Sequence, residues 1–186
     1  MRKERLQRKI LNTTILIVCV LITLCASLFC AFSYFYPKKY SMYINLMSEK
    51  YDVDKALIYS IINTESKFSP NATSEKGAMG LMQIIPSTAT FIAQELDIEN
   101  FKVDDMYVPK TNIEFGVYYL KYLYSKFDSA DAVICSYNAG ETVVRRWLND
   151  KTYSADGKTF VKIPYKETAN YLKKVKQNYK VYKKIV

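Results

Sequence analysis

From Ile10 to Pro37 the chain carries no charged side chain. As a helix, Ile15 to Phe35 is long enough to cross a hydrocarbon layer of about 30 Å. Arg2, Lys3, Arg5, Arg8 and Lys9 precede the run with only Glu4 against them, and positive charge on that side holds it in the cytoplasm. Tyr34, Phe35 and Tyr36 suit the opposite interface, and Pro37-Lys38-Lys39 marks the exit. A cleavable signal peptide is the competing reading. Its apolar part normally runs roughly 7–15 residues and ends at a small-x-small site. Here the run is longer, and Cys25-x-Ser27 is the nearest approximation to such a site. No cysteine in it follows a small residue, which argues against lipoprotein processing. Residues 1–9 are therefore read as a basic cytoplasmic segment and 10–36 as a single transmembrane anchor, with everything beyond it extracytoplasmic.

The remainder of the 186 residues supports one compact domain, and helical spacing dominates it. A short leading helix is expected from Lys39 to Glu49, with Tyr40, Tyr43, Ile44 and Met47 on one side. Asp52 and Asp54 are N-cap candidates for the next helix, which runs to about Glu65. Pro86 suits a first helical position, and Thr88 to Leu96 turns Ala89, Ile92, Ala93 and Leu96 inward. Asp97 to Val108 reads as a loop and Pro109 to Phe127 as a long helix. Asp128 or Ser129 caps a helix that continues through Cys135 to Tyr137. Gly140 ends it, and Val143, Val144, Trp147 and Leu148 mark another. Lys151 to Lys162, with Asp156-Gly157, reads as a flap or brief hairpin. The last helix begins near Pro164. The fold class is all-α with at most a minor β element, preceded by the transmembrane helix.

Chemistry concentrates at Glu65. Leu57, Ile58, Ile61 and Ile62 recur at the spacing of one buried face, and the next position on that face is Glu65. A carboxylate that closes an apolar stripe is costly unless paired or protonated. Desolvation raises its pKa, which makes a glutamate a general acid near neutral pH. The bland alternative is a helix-terminal glutamate followed by a flexible loop. Ser69-Pro70-Asn71 breaks the helix, and Gly77 and Gly80 let the returning chain pass close to some other group. Ala72, Ser74, Ala78, Met82 and Gln83 suit a cleft floor better than a solvated turn. The chain has no histidine, which removes Ser-His-Asp and Cys-His catalysis and argues against zinc. No metal or cofactor is expected. Cys135 alone lies outside the apolar run, so the outer domain has no internal disulfide, and it reads as a core thiol.

Four motifs in order resemble the soluble-lytic-transglycosylase domain, a lysozyme-like family that cleaves peptidoglycan and is related to goose-type lysozyme. They are Glu65-Ser66, Gly80-Leu81-Met82-Gln83, Ser136-Tyr137-Asn138-Ala139-Gly140 (with serine in place of the usual first alanine), and Pro164-Tyr165-Lys166-Glu167-Thr168 with Tyr171. The resemblance covers about Asp52 to Val175, which sets a catalytic domain at 52–175, a leading segment at 37–51 and a basic tail at 176–186.

The resemblance implies that Glu65 works alone, first as acid and then as base, to leave a 1,6-anhydro sugar. By the same resemblance Ser74, Gly80, Gln83, Tyr137, Asn138, Glu167 and Tyr171 would bind substrate. A second carboxylate is missing from the obvious place. Goose-type lysozymes carry an acid directly after the G-L-M-Q-x run, where this chain has Ile85. Glu75 is the only close candidate in sequence, and it reads more simply as a solvated loop charge. The alternatives are a hydrolysing lysozyme on the same fold and a non-catalytic scaffold that holds glycan in an envelope machine. The formal charge of +9 invites a nucleic-acid reading, but an anionic cell-wall polymer serves equally well, and nucleic acid is not the expected partner. Peptidoglycan strands and the membrane are, with an envelope-machine protein left open. Of 17 tyrosines, Tyr118, Tyr119, Tyr122 and Tyr124 share one helix and cannot all be buried.

Overall fold

The computed structural model describes the backbone of residues 1–186 and every side chain except those of Glu4, Leu6, Lys9 and Ile10. The side chains of Glu4 and Lys9 in the basic cluster therefore lie outside the described residues. The chain divides into two units, Met1–Pro37 and Lys38–Val186. The first is one helix, α1 (Arg2–Phe35), in which Leu11–Phe35 is 25 residues long, apolar and fully exposed. Its length is about 37 Å at 1.5 Å per residue, enough to cross a bilayer. Two of its hydroxyls bond back to the helix itself. Thr23 Oγ1 donates to the Val20 carbonyl and Ser27 Oγ to that of Leu24, so neither hydroxyl is left unsatisfied.

The second unit contains α2 (Ser41–Tyr51), α3 (Lys55–Glu65), α4 (Pro86–Glu95), a short 3-10 helix (Val103–Tyr107), α5 (Pro109–Tyr124), α6 (Ala130–Ala139), α7 (Glu141–Asn149) and α8 (Lys166–Ile185). Among the described residues there is no strand. The only β pairing is a pair of isolated bridges, Thr73 to Met79 and Met79 to Ile84. They lie in the glycine loop, not at the expected flap. That flap is a turn organised by Asp156, whose carboxylate accepts from the backbone N–H groups of Lys158 and Thr159 at 2.8 and 2.7 Å.

Helix α3 is the axis of the unit. The spacing predicts one buried face, but every residue from Ala56 to Asn63 is buried. Helices α2 and α8 both pack on it, and a helix covered that fully has no solvent face to keep polar. Asp54, not Asp52, is the N-cap. Its carboxylate accepts from Ala56 N, Tyr179 Oη and Lys183 Nζ, each at 2.8 Å, and so ties the far end of α8 to the start of α3. Asp52 instead closes α2 in the left-handed region at φ 54°.

Two further boundaries move. Met106, inside the expected 97–108 loop, is fully buried and anchors the 3-10 turn. More important, α8 crosses residue 175 without a break, so 176–186 is not a separate tail. Tyr171, Val175 and Tyr182 keep to one inner face while the lysines take the outer one, and the lysine density hides that pattern in the sequence. Tyr182 is fully buried, stacked on Tyr59 with ring centroids 5.1 Å apart.

Tyr182→Ala is expected to cost about 3 kcal/mol, since truncating a buried aromatic leaves a cavity. Lys180→Ala, on the exposed face of the same helix, should change stability by less than about 0.5 kcal/mol. Thermal unfolding of the two variants in detergent checks this. Equal effects would mean that the end of α8 is not part of the core.

Candidate active site

Glu65 is the last residue of α3, and the chain leaves it through two consecutive left-handed residues, Lys67 (φ 52°) and Phe68 (φ 63°). Burial of the Phe68 ring beside Tyr59 and Tyr182 offsets the cost of that backbone. The loop then returns beneath Glu65. Ser66 Oγ donates to the Leu81 carbonyl at 2.8 Å and joins the first motif to the second. Gly80 sits at φ +73°, where a Cβ would collide with the Asn112 amide and the Met106 carbonyl, so only glycine fits.

Asn112 is the residue that sequence reasoning missed. Fully buried on α5, its Oδ1 accepts from Met82 N at 2.7 Å, and its Nδ2 donates to the carbonyls of Met79 (2.9 Å) and Met106 (2.7 Å). One side-chain amide thus ties the G-L-M-Q turn, at Met82 and at Met79 just before it, to the 3-10 helix at Met106. A signal existed in the sequence. Asn112 interrupts an otherwise apolar stripe, Ile113, Gly116, Val117 and Leu120, and a polar residue there needs internal partners. Gly116 makes room on the same helix for the Met82 side chain, which occupies the space of its absent Cβ.

Above this floor lies a cleft of about 540 Å³, within the range of small-ligand sites. Of the predicted residues, Glu65, Ser74, Gln83, Tyr137, Asn138 and Glu167 line it. Two do not. Gly80 is buried below the surface, its N–H donating to the Ala72 carbonyl and its own carbonyl accepting from Gln83, so it shapes the loop instead of facing a ligand. Tyr171 is buried behind Glu65 and donates to Glu65 Oε1 at 2.6 Å. Three of the lining residues are held by the scaffold. Gln83 Nε2 donates to the carbonyls of Ala72 and Gly80, Tyr137 Oη donates to that of Met82 at 2.9 Å, and Thr168 Oγ1 donates to Asn138 Oδ1 at 2.8 Å. Thr168 is buried, and its part in fixing Asn138 was not predicted. Tyr119 extends the wall, its ring 5.6 Å from that of Tyr137. Glu75 and Lys76 are exposed at the rim, and Ile85 presents an apolar side chain to the cleft.

Burial pushes the Glu65 carboxyl up to about 7, and the Tyr171 hydroxyl pulls it partly back by bonding to the charged form. No cation is among the causes. The hydroxyls of Tyr137 and Tyr171 are held well above their ordinary value, by burial first and then by the Glu65 carboxylate, so both stay donors at neutral pH. The arrangement offers one proton, poised to leave or return near neutrality, at the floor of a cleft with rigid walls. Cys135 is buried in α6, and burial pushes its thiol up to about 12, as suits a core residue.

Residues 42–161 match the family described as the Transglycosylase SLT domain. The soluble lytic murein transglycosylase of Salmonella typhimurium is 34% identical over 143 residues, covering 75% of this chain and 22% of that protein. The membrane-bound lytic murein transglycosylase C of Yersinia enterocolitica is 32% identical over 168 residues, covering 78% of this chain and 47% of the relative. The chain therefore spans about a fifth of the soluble relative and about half of the membrane-bound one. The crystal structure of an inactive Glu-to-Gln mutant of the lytic transglycosylase Slt from Pseudomonas aeruginosa superposes with a TM-score of 0.70 at 27% identity, covering 80% of this chain and 24% of that one. The all-α, lysozyme-like fold is common to both. The family match stops short of α8, so Glu167, Thr168 and Tyr171 lie beyond it.

A raised carboxyl makes a stability prediction with a definite sign. The folded protein holds the Glu65 proton up to about pH 7, whereas the unfolded chain releases it near 4.5. The stabilisation from the protonated group is therefore complete below about 4.5 and is lost as pH rises to about 7. Glu65→Gln, which cannot ionise, should gain stability relative to the parent across that window. The gain should be on the order of 2 to 3 kcal/mol and level off above it. Paired thermal unfolding curves at several pH values measure it, and a difference that does not change with pH would contradict the burial of this group.

Proposed function

Since the chain belongs to the transglycosylase SLT domain family, we propose that it is a membrane-anchored peptidoglycan lytic transglycosylase in which Glu65 is the single acid and base. One observation carries the reading: a carboxyl raised to about 7, on the floor of a cleft, with burial and one tyrosine as its perturbers. In the first step the protonated Glu65 donates to the glycosidic oxygen between N-acetylmuramic acid and N-acetylglucosamine. The C1–O bond breaks as the positive character on C1 grows. In the second step the Glu65 carboxylate takes the proton of the muramic C6 hydroxyl, whose oxygen closes on C1. The product is a 1,6-anhydro end, no water is consumed, and Glu65 returns to its starting protonation. An internal nucleophile has a large effective concentration, which favours ring closure over attack by water. The apolar side chain of Ile85 where a second carboxylate would sit supports this route over hydrolysis.

Ser74, Gln83, Tyr137, Asn138 and Glu167 would hold the glycan along the cleft. Tyr171 is a positioning residue that acts through Glu65. Gly80 contributes by letting the loop pass under Asn112. The apolar helix Leu11–Phe35, together with relatives named membrane-bound, supports anchoring with the second unit outside the membrane.

The test incubates the full chain in detergent with purified peptidoglycan and weighs the released fragments. Fragments one water lighter than hydrolysis products, absent with Glu65→Gln, are expected. Fragments with ordinary reducing ends would make the protein a lysozyme, and no fragments would leave a glycan-holding scaffold. The pH profile adds a second check. The first step needs Glu65 protonated, so kcat/KM should fall tenfold per pH unit above about pH 7. Tyr171→Phe removes the donor that favours the carboxylate and should move that fall to higher pH. A shift to lower pH would contradict the role given to Tyr171.

A further inference from the structure

The two ends of the second unit meet. Lys38 Nζ reaches the carbonyl of Ile185, in the last turn of α8, at 3.5 Å, across 147 positions of sequence. Lys38 follows Phe35, the end of the apolar span, by three residues, so chain length alone keeps it within about 10 Å of that end. The C-terminal end of α8 therefore lies beside Lys38, a residue that chain connectivity keeps close to the end of the apolar span.

The cations gathered there, Lys38, Lys39, Lys180 and Lys184, are exposed and have no carboxylate partner among the described residues. Neighbouring lysines show the contrast. Lys183 is bound to Asp54 at 2.8 Å and Lys176 to Asp131 at 2.9 Å. Lys176 and Lys183 are thus neutralised, whereas Lys180 and Lys184, in the last turns of α8, stay open at the end that meets Lys38. Two segments from opposite ends of the unit contribute to one patch, and chain connectivity obliges that patch to stand near a lipid surface.

We propose that Lys38, Lys39, Lys180 and Lys184 form a collar that binds the phosphate headgroups of anionic phospholipid. The proposal rests on the membrane-anchored reading and goes beyond it. The end of α8 then gives the second unit a contact with the lipid surface besides its covalent link to the apolar helix. Clustered cations beside a membrane are attracted to its negative surface, and the attraction is screened by salt.

Lysine footprinting on the full chain tests this. The protein is reconstituted into nanodiscs of phosphatidylcholine alone or mixed with phosphatidylglycerol, and acylation of each lysine is followed by mass spectrometry. In the anionic discs the four collar lysines should react roughly threefold or more slowly, with the protection lost at high salt. Lys76 and Lys126, exposed elsewhere, should react alike in both. Lys180→Ala combined with Lys184→Ala should restore the reactivity of Lys38 and Lys39 without altering the products released from peptidoglycan. Equal collar rates in the two lipids, or equal protection of Lys76 and Lys126, would overturn the proposal. Protection by poly(glycerol phosphate) but not by anionic discs would also overturn it and assign the patch to a wall polymer. Anhydro-fragment release, read in the same samples, reports separately on the enzymatic function.

Discussion

A carboxyl group at the end of a helix buried on every side is the constraint on which this structure depends. Burial keeps the Glu65 proton in place near neutral pH, and Tyr171 limits how far that goes. The two effects oppose each other by design of the fold. α8 supplies the tyrosine that favours ionisation and, with α3, much of the burial that opposes it. The same helix delivers Thr168 to Asn138 and Glu167 to the cleft wall. Anything that loosens α8 from α3 changes the acid and the site together. The clamp of Asp54 on Tyr179 and Lys183, far from the cleft, therefore belongs to the same account.

The opposite wall is fixed by different means. No sheet supports the glycine loop. Its shape comes from Asn112, from Ser66 on the Leu81 carbonyl and from Tyr137 on that of Met82. Each of these joins a different helix to the G-L-M-Q turn, so the loop floor is braced from α3, α5 and α6 at once. A buried amide with all its bonds made is strong and selective, since losing one partner exposes an unsatisfied group. Rigid positioning of this kind is what the proposed internal attack by a substrate hydroxyl requires.

Much of this was legible in the residues. Apolar spacing located the helices of the second unit, and the step from Ile61 and Ile62 to Glu65 pointed to the carboxyl that the fold perturbs. What stayed hidden was information that only three-dimensional neighbours supply. The spacing on α3 showed one face because its other faces are covered by tyrosine, serine and asparagine, which do not mark burial by themselves. The lysines of α8 concealed Tyr182 as a core residue. The family resemblance sets Gly80 against substrate, whereas its close approach is to Asn112 and Met106. The β bridges arise where the loop doubles back between Thr73 and Ile84, a stretch with no alternating pattern to announce them.

The central claim is that the fold itself tunes one glutamate to neutrality, and the carboxyl of Glu65 reports on it directly. Carbon-13 NMR of the full chain, labelled at glutamate side-chain carboxyls and assigned with Glu65→Gln, follows that single resonance through a pH titration. A midpoint near 7 is expected, moving upward in Tyr171→Phe. A midpoint near the ordinary 4.5 would contradict it, because a group that ionises there has no proton to give at neutral pH.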